Sequence, residues 1–222
     1  MLIFATNGPK PEIIFRDLIS NKIEIVANNK YCLVYDLPIH NSGITWKNLV
    51  KWWAKKYYNR LFASKEIEND LLERLQQSIE SEPEALLFNT YYQLRDKFGR
   101  NFPALLPQVY LHYDPKTLKE RTGHQILKRQ RMDFLILFSN KERVVIEVDG
   151  KQHYADGNVA SPKKYAEMVA ADRELRLAGY ELYRFGGYEL QRLFAKVHVK
   201  QFFTELLEKH GIGAVDFYKH AH

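Results

Sequence analysis

Cysteine is almost absent: Cys32 stands alone among 222 residues. A single thiol excludes an internal disulfide, so the core must hold the fold, and this cysteine usage fits a reducing cytosol. Long apolar runs are missing as well. No stretch approaches the roughly 20 residues that a membrane-spanning helix needs. The opening segment MLIFATNGPKPE has no basic leader and too short an apolar run for a signal peptide. A cytoplasmic location with no membrane partner is the expectation. Gly/Ser-rich linkers, internal repeats and low-complexity segments do not occur. What is present is ordinary for a folded protein: 45% hydrophobic and 27% charged residues, enough for a sizeable core. A net charge of +6 and a pI near 9.2 lean toward an acidic partner such as nucleic acid.

Taken in order, Pro11 opens an expected short helix over Glu12–Ile19. Ile23–Val26 and Tyr31–Tyr35 read as a hairpin about Ala27–Lys30, where asparagine tolerates a turn. Trp46, Leu49, Val50, Trp53 and Tyr57 recur at helical spacing, with Lys47, Lys51, Lys55 and Lys56 flanking or opposing that stripe as a solvated face. Residues 1–78 are thus expected to form a small α+β module, closed by a charged connector helix over Lys65–Ser78. It resembles N-terminal segments of bacterial abortive-infection proteins. Residues 79–222 form the second expected domain. With no linker between them, the two regions are also compatible with one packed body. Ser81 is placed to cap the next helix, with Pro83 and Glu84 in its first turn and Gly99 as its stop. Pro107–Tyr113 reads as a strand. Lys163–Ala178 reads as a helix stopped by Gly179, Tyr180–Phe185 as a strand reached by a right-handed crossover, and Tyr188–His210 as one long helix.

The most basic segment, Lys116 to Arg131, carries Lys116, Lys119, Arg121, Lys128, Arg129 and Arg131 against one acid, Glu120. It is either a solvated face or a set of phosphate contacts; its place directly before an acidic stretch makes the second as good a reading as the first. That stretch is RMDFLILFSNKERVVIEVDGKQH, from Arg131 to His153, two short strands joined by a polar turn. Strand cores do not accept isolated charge cheaply, so Asp133, Glu147, Asp149 and Lys151 need a reason. Pleating sends Val144, Ile146 and Val148 to one side. It sends Glu147, Asp149 and, if the strand persists, Lys151 to the other. Two carboxylates so spaced can contact one hard cation, for which Mg²⁺ and its oxygen preference fit, with Mn²⁺ as a substitute. Asp133 joins them in only one hairpin register. Pairing Phe138 with Glu142 sets Asp133 opposite Glu147; pairing Phe138 with Arg143 turns it away. An exposed hairpin edge or an ion-pair network with the neighbouring basic residues is the competing account of the same acids.

The order of these pieces resembles the PD-(D/E)XK, or restriction-endonuclease-like, nuclease superfamily, in the branch similar to very-short-patch repair endonucleases. The resemblance rests on Asp133, on Ile146-Glu147-Val148-Asp149-Gly150-Lys151-Gln152-His153, on Asp172-Arg173 and on Gly179-Tyr180-Glu181-Leu182-Tyr183-Arg184-Phe185. It covers about Ser81 to Tyr188 and not the first eighty or so residues. It implies an α/β fold, a mixed sheet flanked by helices. It implies a Mg²⁺-dependent endonuclease acting on DNA rather than RNA, in bacterial defence, restriction or repair. Asp133, Glu147 and Asp149 would be the metal ligands. Asp149 stands where the superfamily usually has lysine, so Lys151 either replaces that lysine or belongs to a D-x-K element of its own. Glu84 matches a helix glutamate that approaches the metal, or is an ordinary first-turn acid. His153 is either a proton-transfer group or a loop histidine. A protein partner or a homodimer is a further expectation, and the alternative functions are a nucleic-acid-binding module without cleavage and a toxin or effector nuclease whose N-terminal region binds an activating partner.

Overall fold

The computed structural model describes residues 2–17, 22–39, 41–99, 102–112, 131–157 and 159–214. In chain order these form β1 (Leu2–Phe4), β2 (Glu12–Asp17), β3 (Lys22–Ala27) and β4 (Leu33–Tyr35). Helices α1 (Trp46–Tyr58), α2 (Lys65–Gln76), α3 (Glu82–Gln93) and the short α4 (Arg95–Phe98) follow. Next come β5 (Leu105–Val109), β6 (Leu111–His112), β7 (Met132–Leu137) and β8 (Arg143–Asp149), then the two-residue strands β9 (Ala155–Asp156) and β10 (Val159–Ala160). Helix α5 (Pro162–Leu177), β11 (Tyr180–Gly186) and α6 (Ala195–Lys209) end the order.

Four strands make the principal sheet, in the order β11-β8-β7-β5. β7 and β8 are antiparallel, and β5 is antiparallel to β7 on the far side. β11 returns parallel to β8 after α5, as the expected crossover requires. The fold class is α/β with a mixed sheet. Every residue of β7 is buried, as befits a central strand covered on both faces. Alternation along β11 shows what covers it. Tyr183 and Phe185 meet Phe202 of α6 edge-on, at 5.0 and 4.9 Å between ring centres, while Arg184 turns the other way to Asp172 of α5. Tyr91 of α3 packs on Phe203 of α6 at 4.8 Å, closing the first of these layers.

Four expected elements fold differently. Glu12–Asp17 is a strand rather than the start of a helix, paired with β3; the β-branched and aromatic run Ile13-Ile14-Phe15 favours a pleated partner over a helical turn. Tyr31–Tyr35 consequently does not pair with β3. Asn28 takes a left-handed conformation (φ 64°) and leads through a 3₁₀ turn at Asn29–Tyr31, after which β4 pairs with β1 instead. The long helix expected over Tyr188–His210 is a 3₁₀ turn at Glu189–Gln191 followed, after Arg192, by α6. The helix expected from Ser81 to Gly99 is interrupted at Leu94.

The boundary drawn at residue 78 does not divide the core. One cluster of buried apolar residues runs from Leu2 and Phe4 through Trp46 and Leu71 to Phe134 and Phe203. β1 is itself sewn to both regions, pairing with β4 on one side and β6 on the other. Its neighbour Ala5 donates its N–H to the Pro107 carbonyl at 2.8 Å. The three tryptophans of α1 each hand the indole N–H to an acid: Trp46 to Glu68 (2.7 Å), Trp52 to Asp36 (3.2 Å) and Trp53 to Asp70 (2.8 Å). Buried Glu68 is also met by Arg95 at 3.1 Å, which ties α2 to α4.

Between β4 and α1 the chain passes beside the principal sheet. Ile44 donates its N–H to the Leu137 carbonyl at 3.2 Å, and Gly43 just before it has φ +65°. A β-carbon on Gly43 would stand 1.8 Å from the Leu137 carbonyl oxygen, so both conformation and space demand glycine. Gly43→Ala is expected to lower unfolding free energy by about 2–4 kcal/mol in urea titration. The loss should appear in a single transition, because the residue pins residues 2–78 to the sheet.

Candidate functional site

Ser139 sets the hairpin. Its side-chain oxygen accepts N–H bonds from Lys141 (3.1 Å) and Glu142 (2.9 Å), and Phe138 donates its N–H to the Glu142 carbonyl at 3.0 Å. This is the three-residue turn with Phe138 against Glu142. The ladder continues through Leu137↔Arg143 to Phe134↔Ile146, and one step further sets Asp133 opposite Glu147.

The same step can be followed across the whole sheet. On β5, Gln108 lies between Pro107, paired with Phe134, and Val109, paired with Met132; it therefore stands beside Asp133. On β11, Arg184 pairs with Glu147. Gln108, Asp133, Glu147 and Arg184 thus form one polar row across four strands that are otherwise largely apolar. Gln108 is fully buried and has φ +49°, an unusual conformation for a non-glycine residue. Its Nε2 donates to Glu84 Oε2 at 2.9 Å, whereas its Oε1 is buried without a partner.

Asp133 is 6% and Glu147 8% exposed. Asp133 Oδ2 accepts the Val148 N–H at 2.8 Å, taking the place of a main-chain carbonyl at the end of the ladder. Burial pushes the Asp133 carboxyl up to about 6. Glu84 adds to that rise, while the Val148 N–H, Arg131 and His153 oppose it. Burial raises the Glu147 carboxyl well above its ordinary range; Asp133 and Asp149 raise it further, against the pull of Arg184. The two nearest guanidinium groups are committed elsewhere. Arg131 Nη1 lies 2.6 Å from both oxygens of Glu80, with Nη2 at 3.8 Å from Asp133. Arg184 makes a forked contact to Asp172, at 2.6 and 3.0 Å, and reaches Asp149 Oδ1 at 2.6 Å. The paired carboxyls are left short of positive charge.

The other expected residues divide. Glu84 is an acid of the first turn of α3. It forms a capping box with Ser81, whose Oγ donates to Glu84 Oε1 at 2.8 Å and accepts the Glu84 N–H at 3.4 Å. It also lines the cleft with Asp133. Asp149 faces the cleft in the grip of Arg184. β8 stops at Asp149, so Lys151 leaves the pleat and begins a 3₁₀ turn with His153. Lys151 lines the cleft from that turn, and His153 Nδ1 lies 3.8 Å from Asp149 Oδ1. Of the expected phosphate contacts, Arg131 is at the site; Lys116, Lys119, Arg121, Lys128 and Arg129 lie outside the described residues.

Two adjoining cavities open on this row, of about 500 and 410 Å³. Arg131 and His153 line both. Asp133, Glu84 and Lys151 face the first, and Glu147 and Arg184 the second, beneath Lys164 and Glu167 of α5. Among the described residues no group of three or more acidic, histidine or cysteine side chains is gathered closely enough to hold a metal. The trio of Asp133, Glu147 and Asp149 is therefore not assembled: two members stand opposite each other, and the third is held by Arg184. The sequence marks Arg184 only as part of the Gly179–Phe185 run, with no role at the site, and Gln108 not at all. Arg184 was within reach, since a parallel β11 sets some residue beside Glu147. No protein-family model, curated protein or solved structure matches the chain.

Arg184 is the only described cation bonded to both Asp149 and Asp172. Arg184→Ala is expected to cost about 2–3 kcal/mol, less than for a fully buried pair because the group is partly exposed. A double-mutant cycle with Asp172→Asn in denaturant unfolding should show strong coupling, with the two losses far from additive.

Proposed function

We propose that this chain is a metal-dependent nuclease that hydrolyses phosphodiester bonds. The observation that carries the proposal is the buried, facing pair Asp133 and Glu147, short of positive charge and opening on a cleft. An all-oxygen donor set suits a hard cation, Mg²⁺ or Mn²⁺. The absence of a third gathered ligand is compatible with Mg²⁺, which usually takes one or two carboxylates and completes its shell with water and phosphate oxygens. Asp133 and Glu147 would hold the ion, with Glu84 and Asp149 at its margin. A bound divalent ion supplies charge that offsets the negative charge developing on the phosphate and acidifies water. The chain's own groups do the rest. Arg131 and Lys151 draw the phosphodiester into the cleft. His153, oriented toward Asp149, is positioned to move a proton at the leaving or attacking oxygen. Gln108 keeps the Glu84 carboxylate turned toward Asp133. The resemblance to very-short-patch repair endonucleases supports DNA as substrate and a role in bacterial defence, restriction or repair.

A second reading has its own support. Arg184 neutralises Asp149, as a cation does in a site that binds without cutting. A nucleic-acid-binding module with no cleavage is the outcome if metals leave the chain inert.

Plasmid incubated with the purified protein should be cut in Mg²⁺ or Mn²⁺ and spared in EDTA. Asp133→Asn and Glu147→Gln should each reduce the rate about 10²–10³-fold. Intact plasmid under every divalent metal would discard the enzyme reading.

The raised carboxyls give a separate prediction. A carboxyl raised by folding stabilises the fold while protonated, fully below its ordinary value and progressively less as pH rises through its folded value. For Asp133 that window runs from 3.8 to about 6, equivalent to about 3 kcal/mol. The melting temperature in EDTA should therefore fall across this window. Asp133→Asn should flatten the fall and be more stable than wild type at neutral pH. Mg²⁺ should raise the melting temperature of the wild type at neutral pH and leave Asp133→Asn nearly unmoved. Differential scanning fluorimetry reads all three.

A further inference from the structure

The cleft has a second kind of wall. Tyr154 and Tyr188 line it and are 46% and 76% exposed. Isolated exposed tyrosines need no explanation, but these two line the same cavity as Glu84, Asp133 and Asp149 from different elements, and their backbones are held in place. Tyr154 closes the 3₁₀ turn of Lys151–His153, donating its N–H to the Lys151 carbonyl at 3.2 Å and accepting the Ser161 N–H at 2.8 Å. Tyr188 follows Gly187, whose N–H donates to the Asp149 carbonyl at 2.8 Å. A β-carbon on Gly187 would come within 3.2 Å of that carbonyl oxygen. This close approach fixes Tyr188 beside Asp149 and Gly150. The Arg192 guanidinium lies 5.7 Å from the centre of the Tyr188 ring, a cation–π arrangement that stiffens the ring and adds positive charge at the mouth. The chain's net charge of +6 suits an anionic occupant.

Aromatic rings flanked by cations in a groove are the means by which proteins hold unpaired nucleotides: bases stack on the rings, and phosphates meet the cations. In a duplex the base faces are already stacked on one another and are closed to such rings unless a nucleotide is extruded. The cavity of about 500 Å³ lies within the range of small-ligand sites. We infer that the cleft takes single-stranded nucleic acid, with unpaired bases stacked on Tyr188 and Tyr154 beside Asp133 and Asp149. This rests on the nuclease reading for what happens to the strand, but not for its binding.

The test is fluorescence anisotropy in EDTA, where no metal-dependent cleavage occurs, with a short labelled single-stranded DNA, its RNA counterpart and the matching DNA duplex. The full-length protein should bind a single strand more tightly than the duplex; the DNA and RNA arms show which sugar is preferred. Stacking is worth about 1–3 kcal/mol per base, so Tyr188→Ala should weaken single-strand binding about 5- to 150-fold. Tyr154→Ala should act in the same direction, Tyr188→Phe should keep affinity, and duplex affinity should barely move. Both rings are exposed, and unchanged melting temperatures will show the variants folded. Equal affinity for duplex and single strand, or a Tyr154→Ala/Tyr188→Ala variant that binds single strands like wild type, overturns the inference. Tyrosine-dependent single-strand binding without cleavage under any metal supports it while removing the nuclease reading. Cleavage that is indifferent to both tyrosines removes it and leaves that reading standing.

Discussion

Asp133 accepts the amide of Val148 where the ladder would otherwise offer a carbonyl, and this one bond organises the site. It holds a carboxylate inside a sheet, one residue short of the strand end, with its second oxygen turned toward Arg131. Because register is discrete, that placement sets Glu147 beside it and Arg184 beyond. A slip of one residue would send Asp133 to the opposite face and leave Glu147 alone in the core. The turn oxygen of Ser139, accepting two amides, selects the productive register from the far end of the hairpin. A local polar contact at Ser139–Glu142 thus determines whether two acids farther along the two strands can meet.

The row shows why buried charge is tolerated here. Each charge next to the pair already has a partner outside it: Arg131 has Glu80, Arg184 has Asp172 and Asp149, and Glu84 has the Ser81 cap and Gln108. The surrounding charges are partnered, and the electrostatic cost of burial is concentrated on Asp133 and Glu147, with the Oε1 of Gln108 also unpartnered among the described residues. Such concentration is expensive for stability and characteristic of sites that recruit a ligand. The strained backbone of Gln108 belongs to the same economy, since a fully buried amide at positive φ persists only where its surroundings over-determine it.

Much of this was legible in the residues. Period-two alternation placed Glu147 and Asp149 on one face, and the stretch from Arg131 to His153 read as two strands joined by a polar turn. Ser81 with Glu84 three residues on marked the α3 cap, and the helix-then-strand order after Asp149 required β11 to be parallel. The register of Asp133 could be framed as two alternatives, but a choice between them depends on how Ser139 turns its oxygen, which no periodicity reports. The neutralisation of Asp149 was hidden for a related reason: Arg184 lies 35 residues away, and its reach depends on the parallel register. The N-terminal errors are of another kind. Pro11 is an equally good signal before a helix or a strand, and the β-branched run after it decided the matter. β4 left its sequence neighbour for β1 because the 3₁₀ turn at Asn29–Tyr31 redirects the chain, a tertiary outcome that local turn chemistry does not specify.

β1 carries a consequence for how the molecule is made. Its first partner, β4, leaves the ribosome some thirty residues after it, whereas its second, β6, arrives only with Leu111 and His112. Until β6 is made, one edge of Leu2–Phe4 therefore has hydrogen-bonding groups and apolar side chains but no strand to receive them. Contacts so distant in sequence slow folding, and an open apolar edge is a template for pairing with other chains. The interval before β6 emerges is therefore one in which a chaperone has an open strand edge to shield.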